Sequence, residues 1–178
     1  MSEPSLPEKV VAIHDGLRAA RIAHAFGGAL ALAYYAEPRA TIDVDVNVFV
    51  PPSRQHAVAT ALDPLGVVHE ADERDGQCRW WWGRTPIDLF FAYDPIHDAM
   101  RDATRTVDFG DDTIAILAPE HLIVCKAVFD RPKDWLDIEQ MLVCVDELDA
   151  DEIDRWLVRI AGEADERRQR FKALLGGG

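Results

Sequence analysis

The sequence predicts an α+β fold (α/β in looser schemes), in which a mixed β-sheet with flanking helices is followed by a C-terminal helical segment. Strand-like and helix-like patterns alternate over the first two thirds of the chain, and only helical patterns follow Pro119. The clearest strand is the strictly alternating segment TIDVDVNVFV at 41–50. Hydrophobic residues make up 48% of the 178 residues, which is enough for a packed core and excludes low-hydrophobicity disorder.

The elements before residue 118 can be assigned in order. A helix is predicted at 7–22, where Pro7 suits the first turn and apolar residues recur at helical spacing. A second helix is predicted at 29–36, after Gly27-Gly28, and Pro38 ends it. The remaining predicted elements are helices at 53–63 and 95–102, strands at 41–50, 66–69, 77–83, 87–93, 104–109 and 112–117, and an acidic turn at 70–76.

The last third of the chain reads as helices alone. Helices are predicted from Pro119 to about Phe129, from Pro132 to about Glu147, and near 150–161 and 163–175, with a frayed glycine tail. We therefore expect residues 1–118 to form an α/β core and residues 119–178 to form a helical segment that packs on it as part of one compact unit.

The charge balance limits the classes of function that fit this sequence. The chain has 32 acidic and 19 basic side chains, a net charge of −13, which argues against bulk nucleic-acid binding because that binding depends on Lys and Arg. Most of the excess lies in 63–112 and after residue 130, whereas residues 1–62 contain only six acids. Two of those six, Asp43 and Asp45, lie inside an apolar run, and this placement needs an explanation.

The sequence also predicts a location. No apolar run approaches the roughly 18 residues that a membrane span needs, and the first residues lack the pattern of a signal peptide. The three cysteines are widely spaced and form neither a metal motif nor a disulfide framework. We expect a cytoplasmic protein without a membrane partner.

The strand at 41–50 carries the strongest chemical signal. Alternation places Asp43 and Asp45 on one face, about 7 Å apart along the backbone at about 3.3 Å per residue. Two carboxylates on one face of a strand repel each other, and a divalent cation such as Mg²⁺ or Mn²⁺ would relieve that repulsion. The alternative is a solvated face of an edge strand.

Two further features could complete such a site. Gly27-Gly28 precedes a helix, where backbone can approach a phosphate closely; the alternative is an ordinary tight turn. Asp88 is a single acid in the apolar segment 87–93, and beside Asp43 and Asp45 it would give a three-carboxylate metal site. The alternative is an edge-strand acid that faces water.

Taken together, these motifs resemble the core of the nucleotidyltransferase-fold superfamily. Residues 24–50 contain Gly-Gly, a helix and then hydrophobic-Asp-hydrophobic-Asp, and PRATIDVD at 38–45 resembles the R-x-T-x-D form of the minimal toxin-type branch (AbiEii-like and MenT-like nucleotidyltransferases). Asp88 fits the third carboxylate by position. The resemblance covers roughly 10–140 and departs from many members at Gly28, where a serine is common.

The resemblance implies a role for each candidate. Nucleotide phosphates would rest on Gly27-Gly28, Asp43 and Asp45 would bind Mg²⁺ or Mn²⁺, and Asp88 would join the metal site and help to deprotonate the acceptor. Among the few bases and hydroxyls, the nucleotide-binding candidates are Arg39, Thr41 and Lys126. For Arg39 the alternative is a surface loop charge, and for Lys126 it is a side chain that reaches solvent or pairs with Asp137.

The expected activity is Mg²⁺-dependent transfer of NMP from an NTP to an acceptor hydroxyl on tRNA, a protein or a small molecule. The toxin-type branch adds the expectation of a toxin with an antitoxin partner. Two alternatives remain at this stage: a non-catalytic nucleotide- or partner-binding module that retains the fold, and a metal-dependent phosphohydrolase that uses the same acids.

Overall fold

A computed structural model describes residues 3–74 and 76–176 of the chain. The chain divides into two compact units, the first formed by Met1–Leu30 and Ala40–Leu117 and the second by Ala31–Arg39 and Ala118–Gly178. The segment Ala31–Arg39 is grouped with the C-terminal helices, although the sequence had suggested it for the core. Of the three glycines of the tail predicted to fray, Gly176 is the last residue of a helix, and residues 177 and 178 lie outside the described residues.

The first unit contains a mixed sheet of seven strands, in the order β3-β4-β5-β2-β1-β7-β6. β2 pairs in parallel with β5, β1 pairs in parallel with β7, and the other neighbours are antiparallel. The predicted mixed sheet with flanking helices is confirmed. The strands are β1 (His24–Phe26), β2 (Val44–Val48), β3 (Val68–Arg74), β4 (Gln77–Trp82), β5 (Thr85–Phe91), β6 (Arg105–Phe109) and β7 (Asp112–Ile116).

Local signals explain where the helices begin. Ser5 and Glu8 form a capping box at the start of α1, and the Asp94 side chain accepts from the backbone N–H of Ile96 at the start of α4. The helices are α1 (Leu6–Ala19), α2 (Gly28–Leu32), α3 (Gln55–Leu62), α4 (Pro95–Asp102), α5 (Pro119–Phe129), α6 (Pro132–Cys144), α7 (Ala150–Ala161) and α8 (Glu166–Gly176). None of the helices within the described residues has the length and apolarity needed to cross a membrane.

The differences from the sequence prediction that bear on the sheet and the site concern four elements. β2 begins at Val44 instead of 41, and Ile42, which alternation had placed on the buried face, is 78% exposed. β1 has only three residues, too few for a periodic pattern to reveal, and no strand was predicted there. β3 continues to Arg74 through the predicted turn. α2 is shorter than predicted because the backbone N–H groups of Tyr34 and Tyr35 turn to carbonyls three residues earlier.

Candidate active site

The sheet brings three of the predicted residues into one row across four neighbouring strands. Asp45 on β2 lies directly beside Asp88 on the parallel strand β5, and Asp88 lies opposite Arg79 on β4. At the other side of Asp45, its carbonyl accepts a hydrogen bond of 3.0 Å from the backbone N–H of Gly27. Because neighbouring strands are about 4.8 Å apart and register partners share a face, Asp45, Asp88 and Arg79 are adjacent on one face of the sheet.

Asp88 is held by a two-point ion pair. The Nε and Nη2 groups of Arg79 each donate to one oxygen of the Asp88 carboxylate, both at 2.7 Å. The Asp88 side chain is 7% exposed and the Arg79 side chain is 50% exposed. This geometry excludes the alternative of an edge-strand acid facing water, because β5 is an interior strand and both carboxylate oxygens are bonded to protein.

Asp43 lies just before β2, and its neighbour Thr41 orients it. The Thr41 hydroxyl donates to the Asp43 carboxylate. Thr41, which was predicted to bind the nucleotide, therefore contacts a predicted metal ligand. Both residues are half-buried, whereas Ile42 between them points to solvent. The strand that follows is the middle strand of the sheet, so the alternative of a solvated edge strand does not hold for Asp45.

Gly28 is required because the Asp45 carboxylate occupies the space where a side chain would start. Its backbone has φ of +54°, a left-handed conformation that favours glycine, and a Cβ there would overlap the Asp45 carboxylate and lie 3.0 Å from its Cβ. The resemblance suggested that both glycines offer N–H groups to phosphate. The N–H of Gly27 is instead bonded to the Asp45 carbonyl, and it is Gly28 that makes room beside that acid.

Electrostatics link the three acids to the arginine. The pKa of the Arg79 guanidinium is raised above its usual value, first by its hydrogen bonds with Asp88 and further by the negative charges of Asp88, Asp43 and Asp45. All three carboxylates are therefore close enough for their charges to act on one cation.

A divalent cation such as Mg²⁺ needs several oxygen ligands around one point. Among residues 3–74 and 76–176, no three His, Cys, Asp or Glu side chains are placed so that they could share a metal ion. The expected three-carboxylate arrangement is thus not assembled among these residues, and both oxygens of Asp88 are bonded to Arg79. Asp43 and Asp45 still fit, because Mg²⁺ is commonly held by one or two carboxylates and completes its shell with water and substrate phosphates.

The remaining predicted residues lie in the second unit. Lys126 donates to an oxygen of Asp137 at 2.6 Å, and both side chains are less than a tenth exposed. Arg39, whose side chain is 34% exposed, donates to the same carboxylate at 3.2–3.3 Å. The sequence had raised pairing with Asp137 as the alternative for Lys126, and the structure shows this pair.

Sequence reasoning missed Arg79, which bonds to both carboxylate oxygens of the predicted site acid Asp88. It directly precedes a run of three tryptophans in β4, of which Trp80 is fully buried and Trp81 and Trp82 are half-buried. An arginine opposite a buried aspartate in a hairpin would have been the signal. The pairing of Arg79 with Asp88 depends on the register of β4 and β5, which the sequence alone does not fix.

Comparisons with solved structures agree on the kind of fold. The solution structure of the antibiotic-resistance factor ANT(2'')-Ia matches with a TM-score of 0.66 and 16% identity over 99% of this chain and 98% of that one. The lincomycin-bound lincosamide antibiotic adenylyltransferase LnuA matches with a TM-score of 0.57 and 11% identity over 79% and 98% of the two chains. A nucleotidyltransferase-like antigenic protein from Paracoccidioides brasiliensis has a TM-score of 0.57 and 16% identity over 94% and 92%.

No protein-family model and no curated protein sequence matches this chain. At these identities the likeness concerns architecture, and it extends over nearly the whole length of both chains for ANT(2'')-Ia. Together with the seven-stranded mixed sheet, it shows that this chain has the nucleotidyltransferase-like fold.

Proposed function

We propose that this protein is a metal-dependent nucleotidyltransferase that transfers NMP from an NTP to the hydroxyl group of an acceptor. The observation that carries the proposal is the row formed by Asp45 and Asp88 on the parallel central strands β2 and β5, with Asp43 two residues before Asp45. Asp88 is buried and Asp45 is half-buried, so two like charges lie side by side on interior strands. Like charges that are directly adjacent destabilise a sheet, so a chain that keeps them needs a chemical reason to do so.

The proposed metal ligands are Asp43 and Asp45. A divalent cation bound there would neutralise the triphosphate and the negative charge that develops on the pyrophosphate leaving group. Thr41 fixes the carboxylate of Asp43 through its hydroxyl, and Gly28 leaves the space that the Asp45 carboxylate occupies. These contacts hold both acids ready before substrate arrives, which is how positioning lowers a barrier.

The proposed reaction is an in-line displacement at the α-phosphorus. A bond forms between the acceptor oxygen and the α-phosphorus, the bond from the α-phosphorus to the bridging oxygen breaks, and pyrophosphate leaves with that electron pair. Asp88 is the proposed acceptor of the hydroxyl proton. Since both of its oxygens accept from Arg79, one of these two hydrogen bonds must lengthen before the carboxylate can take that proton.

Arg39, Thr41 and Lys126 remain the other proposed nucleotide-binding residues. Arg39 is the better candidate of the two bases, because a third of its side chain is exposed, whereas Lys126 is buried against Asp137. Thr41 acts through Asp43 in this proposal.

For the acceptor we favour a small hydroxyl compound over RNA. The net charge of −13 repels a polyanion and attracts a cationic small molecule. Two structural neighbours are described with such acceptors: ANT(2'')-Ia in complex with adenylyl-2''-tobramycin, and LnuA bound to lincomycin. Modification of tRNA or of a protein, with an antitoxin partner in the cytoplasm, is the second acceptor class and is kept as an outcome of the test.

The test is incubation of the protein with Mg²⁺ and each of four α-³²P-labelled NTPs. The acceptors are an aminoglycoside and lincosamide panel, total tRNA, and lysate protein, and the measurements are pyrophosphate release and label transfer. We expect label on a small-molecule acceptor together with pyrophosphate. Asp45→Asn is the matched control, since it removes one charge from the site and keeps the side-chain shape.

Three outcomes would contradict parts of the proposal. Release of orthophosphate without pyrophosphate would indicate a phosphohydrolase, and label on tRNA or protein would replace the favoured acceptor class. A protein that binds the nucleotide equally well as wild type and as Asp45→Asn, but releases no phosphate or pyrophosphate and labels no acceptor, would be a non-catalytic binding module.

A further inference from the structure

The arginine that holds Asp88 has more hydrogen-bonding capacity than Asp88 uses. A guanidinium carries five N–H donors, and the two that contact Asp88 come from Nε and Nη2. Half of the Arg79 side chain is exposed, while the carboxylate beneath it is buried. The remaining donors therefore face solvent on the same side of the sheet as Asp45.

The net charge of the site matches the charge of one divalent cation. Three carboxylates and one guanidinium leave two net negative charges among Asp43, Asp45, Asp88 and Arg79. One divalent cation neutralises these two charges. A second divalent cation would give the site a net positive charge when no substrate is bound. In two-metal sites the second ion needs a carboxylate with open oxygens, and Asp88 offers none while Arg79 holds both of them.

We propose that Arg79 takes the place of a second metal ion, so that this chain binds a single divalent cation, at Asp43 and Asp45, while Asp88, the proposed proton acceptor, is held by the arginine. The inference rests on the proposed metal site at those two acids. The N–H donors of Arg79 that do not contact Asp88 would contact an anionic oxygen of the substrate, a contact for which the planar guanidinium is well suited. Arg79 is therefore a positioning residue for Asp88 and a proposed substrate contact.

The experiment counts bound metal ions without relying on catalysis. Mn²⁺ is titrated into the whole protein, alone and with α,β-methylene ATP, and the free ion is followed by electron paramagnetic resonance. We expect one ion per chain in the wild type and two in Arg79→Gln, because the neutral amide releases a carboxylate oxygen of Asp88 beside Asp45. Arg79→Lys, which keeps a cation, should bind one.

Two further variants make the count specific. Arg79→Gln combined with Asp88→Asn should return the stoichiometry from two ions to one. Arg84→Gln is the matched control, because Arg84 lies in the turn between β4 and β5, is 94% exposed, and pairs with Glu3 instead of a site acid. It should bind one ion, as the wild type does.

The results separate the inference from the proposed function. Two ions in the wild type, or one ion in Arg79→Gln with an unchanged thermal melting curve, would overturn the inference and leave the metal site at Asp43 and Asp45 intact. No bound ion in the wild type would refute that metal site and the inference with it. If Arg79→Gln does not fold, the wild-type count against Asp88→Asn decides: equal counts of one support the inference, and a loss from two to one overturns it.

Discussion

Two buried aspartates, one in each unit, are paired with cations in opposite ways. Asp88 lies beneath Arg79, whose side chain is half exposed and keeps donors directed to solvent. Asp137 is contacted by Lys126, which is itself buried, and by Arg39. In the second unit one buried carboxylate is shared by two cations, one of them buried with it, whereas in the first unit the carboxylate has a single, half-exposed partner.

The difference indicates what each pair contributes. A buried lysine that loses its carboxylate has no water to replace it, so the Asp137 cluster is expected to matter chiefly for stability. An arginine at the surface can be hydrated if its partner is removed, so the Asp88 pair should contribute less to stability and more to chemistry. Burial of the cation, more than burial of the acid, distinguishes the two.

The largest expected effect is on transfer. Asp45→Asn should lower kcat for NMP transfer by about a thousandfold, because it weakens a proposed metal ligand and the charge stabilisation that depends on it. Its free energy of unfolding should change by less than about 1 kcal/mol, since the substitution also removes repulsion from Asp88.

The comparison variant is Asp137→Asn, assayed at the same fraction of folded protein. It should retain transfer within about tenfold. Steady-state kinetics with pyrophosphate detection and urea unfolding curves provide both numbers, and equal loss of transfer in the two variants would remove the functional distinction between the pairs.

The next effect is on stability. Asp137→Ala should lower the free energy of unfolding by about 3–5 kcal/mol, because Lys126 would then be buried without a counter-charge. Asp88→Ala should cost about 1 kcal/mol, since Arg79 can turn to water. Chemical denaturation at pH 7 measures both, and a larger loss in Asp88→Ala would reverse the assignment.

A third prediction concerns two hydrogen-bonded histidines, His24, which is buried, and His14, which is half-buried. His24 donates through Nδ1 to the carbonyl of Ile22 at 2.9 Å, so its Nε2 must accept from Nδ1 of His14 at 2.9 Å. Burial lowers the pKa of His24 from 6.5 to about 4. Between pH 6.5 and about pH 4, His24 binds a proton more readily in the unfolded chain than in the folded chain. The stability that the neutral His24 contributes is therefore fully present above pH 6.5 and is lost as the pH falls through this range.

Between pH 7 and pH 5 this group should cost about 2 kcal/mol of unfolding free energy. Chemical denaturation of wild type and His24→Gln at the two pH values measures the difference, and the wild type should lose more. His56→Gln, at an exposed histidine, is the control and should follow the wild type. Parallel losses in His24→Gln and the wild type would show that another group is responsible.

The sequence predicted the acids of the site better than their partners. Alternation around Asp43 and Asp45 and the apolar surroundings of Asp88 are local properties, so the residues themselves reveal them. Which residue lies opposite Asp88 depends on strand register, and which strand lies beside β2 depends on chain topology, so Arg79 and the row with Asp45 appear only in three dimensions. The three-residue strand β1 was missed because it is shorter than any period that could identify it.

The smallest predicted effect tests whether Arg39 contributes to nucleotide binding. Arg39→Gln should raise KM for the NTP about fivefold with kcat unchanged, because a partly exposed guanidinium that contacts a phosphate adds about 1 kcal/mol to ground-state and transition-state binding alike. Lys126→Gln should change KM less, since its ammonium is already neutralised by Asp137. Initial rates over a range of NTP concentrations measure both. An unchanged KM in Arg39→Gln would make its contact with Asp137 purely structural, and a larger rise in Lys126→Gln would show that burial does not keep that lysine from the phosphates.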